Sequence, residues 1–263
     1  DHIVASRSLF GSTIKILNDI LPRWGISSTL VDIDDSEQWT AAVQKNTKIL
    51  FTETPSNPGL DLCDLAFLGK LKEEHDLILV VDNTFATPVL QNPMNFGADL
   101  IAHSSTKFID GQGRTIGGLI VGKEQWISQI RPFVRNTGPS MSPFNAWLLS
   151  KSLETLHVRM ERHCDNAMKV AAHFENHDEL VQVKYPLLSS HAQHELAKKQ
   201  MKAGGGIVTM EIKGGLERTM RFINETTMAS RSSNLGDTRT IITHPATTTH
   251  SSLSEEERIS VGI

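Results

Sequence analysis

Leu77-Ile78-Leu79-Val80-Val81-Asp82-Asn83-Thr84 is the stretch that decides the fold. An unbroken apolar run of this length, rich in β-branched residues, reads as a strand covered on both faces, the habit of a parallel sheet. A carboxylate and two turn-forming residues then end it. Working outward, comparable runs recur at Ser28–Ile33, Lys48–Glu53, Asp99–His103 and Gly117–Val121. The opening Asp1-His2-Ile3-Val4-Ala5 runs straight into what reads as a strand and a helix. Amphipathic stretches at Ser12–Leu21, Ser36–Lys45 and Leu62–Lys72 predict helices between the strands. Alternation of this kind predicts an α/β fold with a mainly parallel sheet. Ligands of such sheets gather at the carboxyl ends of the strands.

From Pro143 to Glu175 the pattern turns helical, with Ser142-Pro143 as cap and first helical position. Apolar residues from Trp147 to Phe174 recur as one long, partly buried helix requires. A smaller α/β portion follows: helix Gln193–Met201, strand Ile207–Ile212, helix Leu216–Ile223 and a strand near Thr238–Thr243. The break near Val183–Ser190 divides a large domain, 1–183, from a small one, 184–263. Both termini look like cuts through structure, so a longer polypeptide is expected.

Composition excludes several classes. A net charge of −4, with acidic and basic residues interspersed, leaves no electrostatic footprint for nucleic acid. No apolar run is long enough to span a bilayer, and no charged-then-apolar leader opens the sequence. Cys63 and Cys164 lie far apart without metal-type spacing, which favours buried thiols in a reducing cytoplasm. With 39% hydrophobic residues in 263, the chain can build one large domain or two unequal ones.

Three predicted strand ends carry polar groups. Asp82 at such a rim is partly desolvated; it either caps the next turn or meets a positive group, such as a protonated pyridine nitrogen. His103-Ser104-Ser105-Thr106-Lys107 places three hydroxyls before a lysine, a combination that suits a phosphate. Taken by itself, Lys107 is an ordinary surface lysine; opposite Asp82 it becomes a Schiff-base candidate. Gly111, Gly113, Gly117 and Gly118 then let the backbone turn closely around a ligand. Glu53-Thr54-Pro55-Ser56-Asn57-Pro58 presents Asn57 in a proline-stiffened loop, equally readable as a plain turn. Gly204-Gly205-Gly206 precedes a strand rather than following one, and His163/Cys164 and His191/His194 lack a metal pattern. Those three groups read as structural.

Seven blocks appear in order: SRSLFGST (6–13), ETPSNP (53–58), VVDNTFATP (80–88), HSSTKF (103–108), SHAQHELAKKQM (190–201), NLGD (234–237) and HPATTTHSSLSEEER (244–258). Together they resemble the pyridoxal-5′-phosphate (PLP) enzymes of cysteine and methionine metabolism, the cystathionine γ-synthase group, over nearly the whole chain. The resemblance implies an aspartate-aminotransferase-like, fold-type I architecture with a seven-stranded-type sheet. It implies PLP bound as a Schiff base on Lys107, which then shuttles protons. Asp82 falls at the partner of the pyridine nitrogen, Ser104 and Thr106 at the phosphate-contacting pair, and Asn57 near the ring's 3′-oxygen. Phe10 falls where the family has a tyrosine stacked on the ring. Asn234 and Thr249 fall in the segments that approach the substrate carboxylate. A cytoplasmic homotetramer, built from dimers that share active sites, is the implied assembly.

The departures narrow the reading. Phe10 can stack but can neither donate nor accept a proton. Ser12 stands where the methionine γ-lyases of the family carry a reactive cysteine. SRSLFGST, NLGD and HPATTTH look most like the O-succinylhomoserine sulfhydrylase branch, with the O-acetylhomoserine enzymes near behind. The family's Ser-Gly-Met phosphate loop, and the Tyr and Arg lent by a neighbouring subunit, would lie before Asp1. Its substrate-carboxylate arginine would lie after Ile263. The implied reaction is γ-replacement on an acylated homoserine with sulfide. The alternatives are cystathionine γ-synthase, a β/γ-lyase, or a truncated scaffold without turnover.

Overall fold

A computed structural model describes residues 1–251, 254–260 and 263. Six strands form the main sheet: β1 (His2–Ser6), β2 (Ser27–Val31), β3 (Thr47–Glu53), β4 (Ile78–Asp82), β5 (Leu100–Ser104) and β6 (Gly118–Gly122). Their order is β2-β1-β3-β4-β5-β6, parallel throughout except that β6 runs antiparallel to β5. The main sheet therefore has six strands among the described residues, where the resemblance implied a seven-stranded type. The predicted strands agree with β2 to β6 to within two residues at each end.

The alternation of side chains assigns the two faces. Val4, Leu50, Leu79 and Val81 pack on Trp39, Leu65, Leu68 and Leu71 from helices α2 (Ser36–Ala41) and α3 (Leu65–Glu74). Ile3, Ala5, Ile49 and Phe51 point the other way, against Leu9, Ile14 and Leu17. Those three come from the segment around helix α1 (Gly11–Lys15), which widens into a π turn (Ile16–Ile20) and then tightens into a 3-10 turn through Trp24. Toward β4 and β5 this second face is only half covered: Ile78, Val80, Asp82, Leu100, Ala102 and Ser104 are all partly exposed. The half-open groove there ends at the carboxyl tips of the strands.

At the opposite end of β5 the sheet is pinned by charge. Asp99, 2% exposed, takes Lys72 Nζ at 3.1 Å and Lys123 Nζ at 2.6 Å, and its Oδ2 also accepts the Leu79 N–H at 2.9 Å.

The short helix α4 (Thr87–Leu90) follows β4. Helix α5 (Glu124–Thr137) follows β6 and went unpredicted, because Pro132 lies inside it and reads as a breaker. The long helix predicted over 143–175 is two, α6 (Pro143–Leu153) and α7 (Leu156–Phe174). The break has a local cause. The Ser152 carbonyl accepts from Thr155 N–H, Thr155 Oγ1 and Arg159 Nη2 at 3.2, 3.2 and 3.0 Å, in place of the regular helical donor.

Beyond α7, strand β7 (Leu180–Lys184) pairs antiparallel with β8 (Thr209–Ile212). Helix α8 (His194–Gln200) lies between them in sequence, and α9 (Gly215–Glu225) follows. The division placed at 183/184 passes through β7, and we propose that the second unit begins before Leu180. A two-residue pair, β9 (Ser230–Arg231) and β10 (Ile241–Ile242), flanks the loop that carries Asn234. Helix α10 (Glu255–Ser260) comes last. Among the described residues no helix is long and apolar enough to cross a membrane. Cys63 and Cys164 are both free and buried, and burial pushes the Cys63 thiol up to about 12.

Candidate active site

The carboxyl tips of β3, β4 and β5 converge at the half-open groove. Glu53 ends β3 and lies in register with Asp82, which ends β4; Asp82 is one step from Ala102, two residues before Ser104 at the end of β5. Parity places Glu53, Asp82 and Ser104 on the same face.

Asp82 accepts the Thr84 N–H at Oδ1, 2.9 Å away. Burial outweighs that bond and holds its carboxyl above the usual range. Thr84 in turn accepts the Ser104 N–H at its hydroxyl, 2.8 Å away, and so ties the β4 tip to the β5 tip. Thr84 escaped the sequence reading, although Asp-x-Thr after a strand is a turn signal that could have found it.

After Ser104 the chain turns tightly. Lys107 N–H donates to the Ser104 carbonyl at 3.3 Å, and Gly111 N–H to the Lys107 carbonyl at 2.9 Å. Arg159 of α7 fixes this loop from behind, donating to the carbonyls of Phe108 and Ile109 at 2.6 and 3.2 Å. The Lys107 side chain is half-buried and donates from Nζ to Asn234 Oδ1 at 2.6 Å. Burial pushes its amine below the ordinary lysine value.

Asn234 reaches Lys107 because of Gly236. With φ at +83°, Gly236 lies flat on the Lys107–Phe108 peptide; a Cβ there would sit 2.4 Å from Phe108 N. Only glycine tolerates both the angle and the approach.

The remaining expected residues are gathered less tightly. Phe10 precedes α1, is 38% exposed and donates its N–H to Glu53 Oε2 at 2.8 Å. A Cβ on Gly11 would touch the Thr249 carbonyl at 3.4 Å, so the Thr249 segment borders Phe10. Thr249 shares a 2.9 Å hydrogen bond with the buried ring of His250. Asn57 is half-buried in a loop tied down by its neighbours, Ser56 to Asp61 and Thr54 to Cys63. Thr106 is turned inward: its hydroxyl accepts the Gly117 N–H at 3.0 Å and lies 3.3 Å from the Gly117 carbonyl. Gly204, set aside as structural, packs on the buried Tyr185 ring, whose hydroxyl donates to the Gly205 carbonyl at 3.0 Å.

What the rim lacks defines what fits it. No cation among the described residues stabilises the partly desolvated Asp82 carboxylate, and no carboxylate stabilises the Lys107 ammonium. A pyridinium nitrogen supplies the first partner, and an aldehyde carbon consumes the second group as an amine. One small planar molecule carrying both satisfies the two neighbouring strand ends, and PLP is such a molecule.

The fold and this rim set a carboxylate and a lysine at neighbouring strand ends of an open α/β sheet. Comparison gives the family. The sequence model of the Cys/Met metabolism PLP-dependent enzymes matches residues 1–263, and the chain belongs to that family. It is 45% identical over its full length to an O-succinylhomoserine sulfhydrylase of Pseudomonas aeruginosa, and 44% identical over 98% of its length to an L-methionine gamma-lyase of Treponema denticola. The chain spans 65% of the length of each of these relatives. All of it superposes on the crystal structure of MetB from Corynebacterium glutamicum with a TM-score of 0.94 at 38% identity, covering 68% of that chain. The mixed α/β architecture is that of fold-type I PLP enzymes, and PLP is the family's cofactor.

Proposed function

We propose that the protein carries out γ-replacement on an O-acylated homoserine, O-succinylhomoserine first and the O-acetyl ester second, with sulfide to give homocysteine. The observation that carries this is the pair of strand ends, Asp82 without a cation and Lys107 without an acid among the described residues, joined to the Asn234 contact. PLP, when bound, supplies a cationic ring that withdraws electrons from the substrate.

The chain's own residues do the rest. Asp82 holds a proton at the ring nitrogen. Lys107 Nζ would hold the cofactor through its aldehyde and, when free, would move a proton at the substrate α-carbon. Burial leaves that amine easier to deprotonate, as a general base requires. Asn234 holds it in place at 2.6 Å. Phe10 would cover the ring with an apolar face and supply no proton, so departure of the γ-acyloxy group, as the free carboxylate, would rely on Lys107. Ser104 and Thr106 receive the phosphate, for which the Thr106 hydroxyl must share its bonds to Gly117. Asn57 would contact the 3′-oxygen, while Asn234 and Thr249 would bind the substrate carboxylate. The assembly is a homotetramer of dimers that share active sites, and the compartment is the cytoplasm.

Similarity to the Pseudomonas sulfhydrylase supports replacement over elimination, as does Ser12 in place of a reactive cysteine. The relative named as a methionine gamma-lyase, at 44% identity, makes elimination the second reading. The test supplies the complete protein and PLP with O-succinylhomoserine and either sulfide or cysteine. Homocysteine from sulfide is expected. Cystathionine from cysteine, or a 2-oxo acid with ammonia and no sulfur product, would overturn it.

A further inference from the structure

Glu53 has no part in the proposed reaction, yet it is 4% exposed and lies beside the residue assigned to the ring nitrogen. It ends β3 as Asp82 ends β4, in register and on the same face, so adjacent strands hold their Cα atoms about 5 Å apart and aim both side chains the same way. Its Oε2 accepts the Phe10 N–H at 2.8 Å, which makes it the side-chain anchor of the residue expected over the ring. No cation among the described residues serves either carboxyl.

We infer that Glu53 is a positioning residue, kept as a neutral carboxylic acid, which fastens Phe10 by its backbone and leaves Asp82 as the single anion at the rim. The reason is charge balance. Two desolvated carboxylates on neighbouring strand ends cannot both ionise cheaply, and one incoming pyridinium can neutralise only one. Each accepts one backbone N–H, but Glu53 is the more deeply buried and Asp82 is placed for the ring, so the proton belongs to Glu53. Burial first, and then the neighbouring Asp82, drive the Glu53 carboxyl well above the usual carboxylate range, against the opposing pull of the Phe10 N–H. A neutral acid still accepts that N–H through its carbonyl oxygen.

The inference rests on the proposed cofactor site, and the experiment separates the two. Infrared difference spectra of the complete protein, wild type against Glu53→Gln at neutral pH, read the proton directly. PLP affinity and the visible circular dichroism of bound PLP are then compared for wild type, Glu53→Gln and Glu53→Ala. The expected result is a protonated-carboxyl band present in wild type and missing in Glu53→Gln. PLP affinity of Glu53→Gln should stay within about twofold of wild type with unchanged dichroism. Glu53→Ala, which loses the Phe10 anchor, should bind roughly tenfold more weakly with reduced dichroism. Loss of only a carboxylate band in Glu53→Gln would overturn the inference, as would Glu53→Gln weakening as much as Glu53→Ala. A wild type with the protonated band but no PLP binding would instead overturn the cofactor reading, and with it the role of Glu53 toward the ring.

Discussion

Lys107 shows how little a single residue says alone. A lysine after Ser104-Ser105-Thr106 is by default a surface charge. It gains meaning from being half-buried, from Asn234 at 2.6 Å, and from the Asp82 carboxylate that ends the neighbouring strand with no counter-ion among the described residues. At this scale the account predicts that Asp82→Ala weakens PLP binding by at least about 30-fold, the loss expected on truncating one partner of a buried charge pair. Equilibrium dialysis of PLP against the wild type and the variant measures it; equal affinities would contradict the assigned pairing. The sequence made Asp82 legible because a carboxylate directly after an apolar run is conspicuous. Glu53 carries the same signal after Ile49-Leu50-Phe51-Thr52, but the prolines that follow drew the reading toward a loop. Asn234 was reachable only through the family blocks, since 127 residues separate it from Lys107 and no local pattern links them.

Among elements, the strands were the most legible and the helices after them the least. A strand buried on both faces announces itself by composition, whereas α5 hides behind Pro132, and the α6–α7 break depends on Arg159 taking a carbonyl from the helix. The element that matters most to chemistry is the Asn234–Asp237 loop lying on the Lys107 turn. Gly236→Ala adds a methyl within 2.4 Å of Phe108 N at a φ of +83°, so the loop must lift. The expected outcome is loss of the Asn234–Lys107 contact, with the turnover rate constant reduced roughly tenfold or more and PLP still bound. Steady-state kinetics of the PLP-loaded variant, alongside its cofactor content, tests this. Unchanged turnover would show that the loop does not hold the lysine.

For the whole molecule, buried histidines and the Asp99 cluster set the response to acid. Burial pushes His103 down to about 4, and it also lowers His2, His163, His191 and His250. Between pH 6.5 and 4 the unfolded chain therefore binds protons that the folded chain refuses, and stability falls as pH drops through that window. His103 alone accounts for up to about 3 kcal/mol. Burial raises the Asp99 carboxyl, but Lys123, the Leu79 N–H and Lys72 together bring it below its ordinary value. Its contribution is present above that value and is lost as pH falls further. Glu53 and Asp82, whose carboxyls burial raises, work in the opposite sense over part of this window, so the test is differential. The urea midpoint of His103→Gln relative to wild type should rise as pH falls from 7 to 4; a difference independent of pH would contradict this.

The central claim is that Lys107 holds the cofactor, and chemical trapping tests it most directly. Borohydride reduction of the complete, PLP-loaded protein followed by peptide mass spectrometry should place the reduced pyridoxyl group on Lys107, with none incorporated in Lys107→Ala. A pyridoxyl group found on another lysine, or undiminished incorporation in Lys107→Ala, would contradict it.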